Sequence, residues 1–192
     1  MNKKLHTARY VIADFIAAAL AWSLFFYNRK ISETPLVNDT LQLVLNDRNF
    51  YTGILVIPVF WLLLYTMAGA YHKVYRKARM RELAQTLLLT LIGVIIIFFT
   101  LLLDDVISSY RSYYKSFLTL FVFHFFITFT FRYILASITL YKLRHRKIGF
   151  NTLIVGSNGN AISIYNEIEN QPVSSGNRFV GFVHAVEYPS YK

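Results

Sequence analysis

Four blocks of this chain are almost continuously apolar, and polar, charge-bearing stretches separate them. The first runs from about residue 10 to 27, YVIADFIAAALAWSLFFY, and the second from about 53 to 71, GILVIPVFWLLLYTMAGAY. The third is TLLLTLIGVIIIFFTLLL, residues 86–103, and the fourth, rich in Phe, covers about 116–140. A helix needs roughly 20 apolar residues to cross a hydrocarbon layer about 30 Å thick. The pattern therefore predicts an all-α membrane domain over 1–148, a four-helix transmembrane bundle. From Asn151 the pattern changes. TLIVG is a short β-branched run that reads as a buried parallel strand, and GSNGN is a turn. Over the next stretch Ala161, Ile164, Tyr165 and Ile168 fall on one helical face, and FVGFVHAV reads as a second strand. Residues 149–192 are thus expected to hold one βαβ unit, the opening of an incomplete α/β, Rossmann-like cytoplasmic domain. About 40 residues of that kind cannot build a core unaided, so the chain reads as the front of a longer protein.

The charges between the blocks orient them. Lys3, Lys4 and Arg9 precede the first block with no acid among them. The next connection balances Arg29, Lys30 and Arg48 against Glu33, Asp39 and Asp47. HKVYRKARMRE then carries Lys73, Arg76, Lys77, Arg79 and Arg81 against Glu82 alone. The third connection is balanced again, Asp104 and Asp105 against Arg111 and Lys115, and Lys142, Arg144, Arg146 and Lys147 follow the fourth block. Positive segments alternate with neutral ones, so both termini and the second connection are expected in the cytoplasm. The basic segment leading into the third block is amphipathic and suited to anionic headgroups, a role its orienting charge does not exclude. Tyr27, Tyr51, Tyr65, Tyr71, Tyr75, Tyr110, Tyr113 and Tyr114 fit an interfacial belt, and Pro58 is a place where the second helix could kink. The first block could be mistaken for a cleaved signal, since Ala19-Leu20-Ala21 resembles a cleavage site. Asp14 interrupts it and the apolar run continues past Ala21, so a retained helix is the better reading.

Few polar residues fall inside the blocks, and charges at such depth are costly unless paired or turned inward. Asp14 in the first and Arg132 in the fourth lie at a similar depth in the inner leaflet, which suggests an ion pair pinning the two helices. The alternatives are separate snorkelling to the headgroups, or capture of a lipid phosphate or substrate. His124 is mid-span without an acid at its level and reads as a hydrogen-bonded packing residue. Ala17, Ala18, Ala19 and Ala21 give the first helix a small-residue surface. No internal repeat and no span broken by paired Gly or Pro marks a transporter.

Composition sharpens this only in part. The chain is 55% hydrophobic and 16% charged, with a net charge of +10. That balance could suit nucleic acid, but the cations flank apolar blocks instead of forming a face, so no nucleic-acid partner is expected. The expected partners are the bilayer and its anionic lipids, with a homo-oligomer also allowed. With no cysteine, disulfides, thiol nucleophiles and thiolate metal sites are excluded. In the βαβ turn, the dinucleotide fingerprint would need a central glycine, and its three positions are Gly156, Asn158 and Ala161, with Gly159 one place late. At the end of the second strand stands His184 where an acid is required, with Glu187 further on. Gly156 and Gly159 therefore read as parts of a tight turn, and no cofactor is expected in this chain.

The order of these features resembles the N-terminal half of the large bacterial polyprenyl-phosphate sugar phosphotransferases, the phosphoglycosyl transferases of the undecaprenyl-phosphate glucose phosphotransferase kind. The matching points are Asp14, Gly69-x-Tyr71 with Arg76 and Glu82, Arg132, the LIVG strand with Gly156, and Gly181-Phe182-Val183. The resemblance covers nearly the whole chain. It implies an enzyme of the bacterial cytoplasmic membrane that moves a sugar 1-phosphate from a UDP-sugar to undecaprenyl phosphate in capsule or exopolysaccharide synthesis. The Asp-Glu pair and magnesium ion of such enzymes belong to a later catalytic domain, so no catalytic or metal-binding residue is carried over. Membrane-bound nucleotide-sugar 4,6-dehydratases begin similarly and offer a second reading. A non-catalytic membrane scaffold is a third.

Overall fold

The computed structural model describes residues 3–33, 39–71, 79–102, 110–156 and 158–184. Among them lie helices α1 (Lys3–Glu33), α2 (Thr40–Leu45), α3 (Arg48–Met67), α4 (Arg79–Ile97), α5 (Tyr110–Arg144) and α6 (Gly159–Glu169), and strands β1 (Phe150–Val155) and β2 (Asn177–Val183). A π-helical turn, Phe98–Leu102, extends α4. The expected positions of Lys73, Tyr75, Arg76, Lys77, Asp104, Asp105 and Glu187 fall outside the described residues.

Among the described residues, four helices are long and apolar enough to cross a membrane: Leu5–Ser32, Arg48–Met67, Glu82–Thr100 and Tyr113–Arg144. The first and last are longer than their apolar blocks, because helical geometry continues through the flanking charged residues. The second stops at Met67, four residues before the expected end, where Gly69 at φ 64° ends the helical geometry. The helix runs through Pro58, and Asp47 caps its start, accepting a hydrogen bond from the Asn49 amide at 2.9 Å. The short helix α2 has no counterpart in the hydropathy pattern, being too brief to show a period.

The four long helices share one logic within the compact unit ending at Ala136. On α1, Tyr10, Asp14, Ala17, Ala18, Ala21, Trp22, Phe25 and Phe26 are buried, recurring every three or four residues. On α3 the buried stripe is Phe50, Gly53, Ile57, Pro58, Trp61 and Tyr65. On α5, Leu120, His124, Thr128 and Arg132 recur every fourth residue. Outside these stripes the helices expose Ile12, Leu24, Leu63, Leu88 and Phe126, among others. Polar residues thus turn inward and aliphatic ones outward, the reverse of a water-facing bundle. Indole rings set the closest helix approaches. Trp22 of α1 lies over Gly53 of α3, and Trp61 of α3 over Gly93 of α4, so near that a Cβ on either glycine would collide with the ring.

The second compact unit begins at Ser137. Its strands pair in parallel, Phe150 opposite Asn177 and Val155 opposite Val183, with an irregularity between Thr152 and Leu153. Gly156 follows β1 at φ +129°, a conformation that favours glycine, and its amide donates to the Val183 carbonyl at 2.8 Å. Asn158 caps α6, its Oδ1 accepting from the Ala161 amide at 3.1 Å. That side chain occupies one amide of the helix N-terminus, the feature a dinucleotide site would keep free. No atom lies close to a Cβ built on Gly159, so this glycine is not required by space. Ala161, Tyr165 and Ile168 face the sheet, with Tyr165 edge-on to Phe179 and Phe182. Ile164, expected on the same face, is 49% exposed, because two strands cover only the middle of that stripe.

Candidate functional site

The charge and hydrogen-bond chemistry of the membrane-type helices gathers in one buried cluster. Arg132 on α5 reaches Asp14 on α1 with two parallel bonds, Nε donating to Oδ1 and Nη2 to Oδ2, each 2.8 Å long. The side chains are 2% and 0% exposed. This fork is the geometry a guanidinium offers a carboxylate. Nη1 donates to Thr86 Oγ1 of α4 at 3.3 Å, and the guanidinium carbon lies 4.1 Å from the Tyr65 ring centre, a cation–π contact from α3. Tyr71, just past α3, donates its hydroxyl to Asp14 Oδ2 at 2.9 Å. All four long helices therefore supply a side chain to Arg132 or its carboxylate partner.

A second tier lies along the same face of α5. His124 stacks on Trp61 with ring centres 3.6 Å apart, and its Nε2 is 2.9 Å from the Tyr65 hydroxyl and 3.4 Å from Thr128 Oγ1. Tyr65 thus joins the tiers, touching Arg132 with its face and His124 with its hydroxyl. Both Tyr65 and Tyr71 were expected in the interfacial belt. They turn inward because buried charge at Asp14 and Arg132 demands polar partners, and a phenol can supply one while remaining largely apolar.

Both Asp14 oxygens are engaged, and the arrangement joins helices. The hydropathy pattern left Trp61 and Thr86 unmarked and placed Tyr65 at the membrane interface. A helix apolar on every side hides which aromatic faces inward. One signal was available: Thr86 and Thr90 lie four residues apart, a spacing that keeps both hydroxyls near one helix face.

Among the described residues no group of three His, Asp or Glu side chains could hold a metal ion. In the second unit, a cavity of about 660 Å³ opens beside the ends of α5 and α6, lined chiefly by polar and basic residues. No protein-family model, curated protein or solved structure matches the chain.

Proposed function

We infer that the chain is a multi-pass membrane anchor, and that residues 149–192 begin a Rossmann-like regulatory or assembly module of a sugar 1-phosphate transferase. On this reading it sits in a bacterial cytoplasmic membrane with both termini inside. The complete enzyme would pass a sugar 1-phosphate from a UDP-sugar to undecaprenyl phosphate, using a catalytic domain outside residues 1–192. The observation that carries the reading is the convergence of Asp14, Tyr71 and Arg132. These three points of the resemblance are separated by 57 and 118 residues in sequence, yet they meet in one hydrogen-bonded cluster. The inward-facing polar stripes support the membrane setting, and the parallel β1–α6–β2 unit supports the start of an α/β module.

The test begins with the coding DNA after the Lys192 codon. A continuation holding another hydrophobic segment and an Asp-Glu pair, whose membranes move label from a UDP-sugar into undecaprenyl-linked lipid, supports the reading. A continuation with a G-x-x-G-x-x-G turn and Tyr-x-x-x-Lys would replace it with the dehydratase. A stop codon with no transfer activity in partner-containing membranes would leave a scaffold.

A further inference from the structure

We propose that the cavity bounded by the end of α5, the end of α6 and the start of β2 binds a phosphate group carried by a larger molecule. The cavity measures about 660 Å³, within the range of small-ligand sites and several times the size of a phosphate. Three cations line it, Arg146, Lys147 and Arg178, against one carboxylate, Glu169. That carboxylate is already engaged, its Oε1 accepting from Arg146 Nη1 at 3.0 Å. Among the described residues, Lys147 and Arg178 have no carboxylate within ion-pair distance. The Tyr141 ring centre lies 5.8 Å from Lys147 Nζ. Two cations without a carboxylate partner among the described residues suit a phosphate monoester, which carries about −1.5 to −2 charges near neutrality. Arg178 can also meet two of its oxygens at once.

The wall is held in place before any ligand arrives. Arg146 is the one non-glycine residue at positive φ among those described, at 54°. A left-handed residue there ends α5, with the Lys147 amide donating to the Lys142 carbonyl at 3.0 Å. The Arg146 side chain also donates to the Glu169 carbonyl at the end of α6, where helix carbonyls are unsatisfied. Ser175 and Asn177 add polar atoms, and Tyr165 offers an aromatic flank for the rest of the ligand.

The phosphate could belong to a lipid headgroup, since Arg146 lies two residues after Arg144, where the apolar helix ends. It could equally belong to a soluble phosphorylated compound. The test uses the 192-residue chain in neutral phosphatidylcholine nanodiscs. One arm adds phosphatidic acid to the bilayer and reads retained lipid by native mass spectrometry. The other titrates glycerol 3-phosphate by calorimetry. Each is repeated with the double variant Lys147→Gln/Arg178→Gln, which leaves the Arg146–Glu169 contact untouched. At least one probe should bind the parent and weaken about tenfold in the variant. A response to phosphatidic acid alone assigns the site to lipid, and one to glycerol 3-phosphate alone to a soluble ligand. If the double variant does not fold, Lys147→Gln alone should weaken the same probe about threefold, as the loss of one of two cations. The proposal is overturned if neither probe binds the parent more tightly than the variant.

Discussion

The imidazole of His124 lies flat on the indole of Trp61, with ring centres 3.6 Å apart and planes 14° from parallel. The stack fixes the ring so that Nε2 meets the Tyr65 hydroxyl at 2.9 Å. His124→Leu should therefore remove one partner of the buried Tyr65 hydroxyl, which also lies near Thr128 and Thr90, and cost about 1 kcal/mol, as a lower midpoint of unfolding in mixed micelles. Tyr65→Phe should cost about as much, and the double variant less than the sum. A fully additive pair would mean that the stack, and not the hydrogen bond, is what His124 supplies.

Asp14 and Arg132 should behave as one unit. Asp14→Asn leaves a buried guanidinium uncompensated, and a loss of about 3 kcal/mol or more is expected. Arg132→Gln should be as damaging, while the double variant should lose little beyond either single change. Additive losses in the same unfolding measurement would refute the pairing.

Gly53→Ala and Gly93→Ala each place a methyl group where an indole already lies. Each should destabilise the bundle by about 1–3 kcal/mol. Trp22→Leu in the Gly53→Ala background should recover part of the loss, by freeing the space the methyl needs. No recovery in the melting temperature would mean that the helices separate and do not repack.

Orientation can be read with single cysteines, because the chain has none of its own. In intact spheroplasts a membrane-impermeant maleimide should label Gln42→Cys and spare Ser175→Cys until the membrane is permeabilised. The reverse pattern would invert the proposed topology.

Asp47 gives a pH dependence outside the spans. The Lys30 ammonium, 2.9 Å away, holds its carboxyl below the usual carboxylate range, helped by the Asn49 amide. A depressed folded pKa means that the stabilisation is complete above the unfolded value near pH 4. It fades as pH falls through the folded one. The pair is partly solvated, so the effect should stay below about 1 kcal/mol. Asp47→Asn, which keeps the helix cap, should flatten the melting temperature between about pH 5 and pH 3 relative to the parent.

Much of the architecture was legible because membrane helices announce themselves by length and apolarity. The depth argument placed Asp14 and Arg132 at one level, and the structure brings their charged groups to 2.8 Å. The alanines of α1 were visible as a small-residue surface, and Ala17, Ala18 and Ala21 are fully buried. What stayed hidden has a common cause. Trp61 and Tyr65 sit in a segment apolar on every side, where no period separates inward from outward positions. Gly53 and Gly93 gain meaning only from indoles on other helices. Helix ends were misjudged because apolar content stops at the bilayer's edge, whereas backbone hydrogen bonding continues through charged residues.

The Asp14–Arg132 pair joins the first long helix to the last, across a sequence separation of 118 residues. During synthesis the carboxylate therefore enters the bilayer well before its cation exists. Until α5 arrives, the nascent bundle must hold this acid without its cation. The Trp22–Gly53 and Trp61–Gly93 contacts, by contrast, can form in the order in which the helices leave the ribosome. Assembly then has a natural last step, in which the final helix neutralises the first, and a chain stalled before Arg132 would keep an unpaired acid in its first helix.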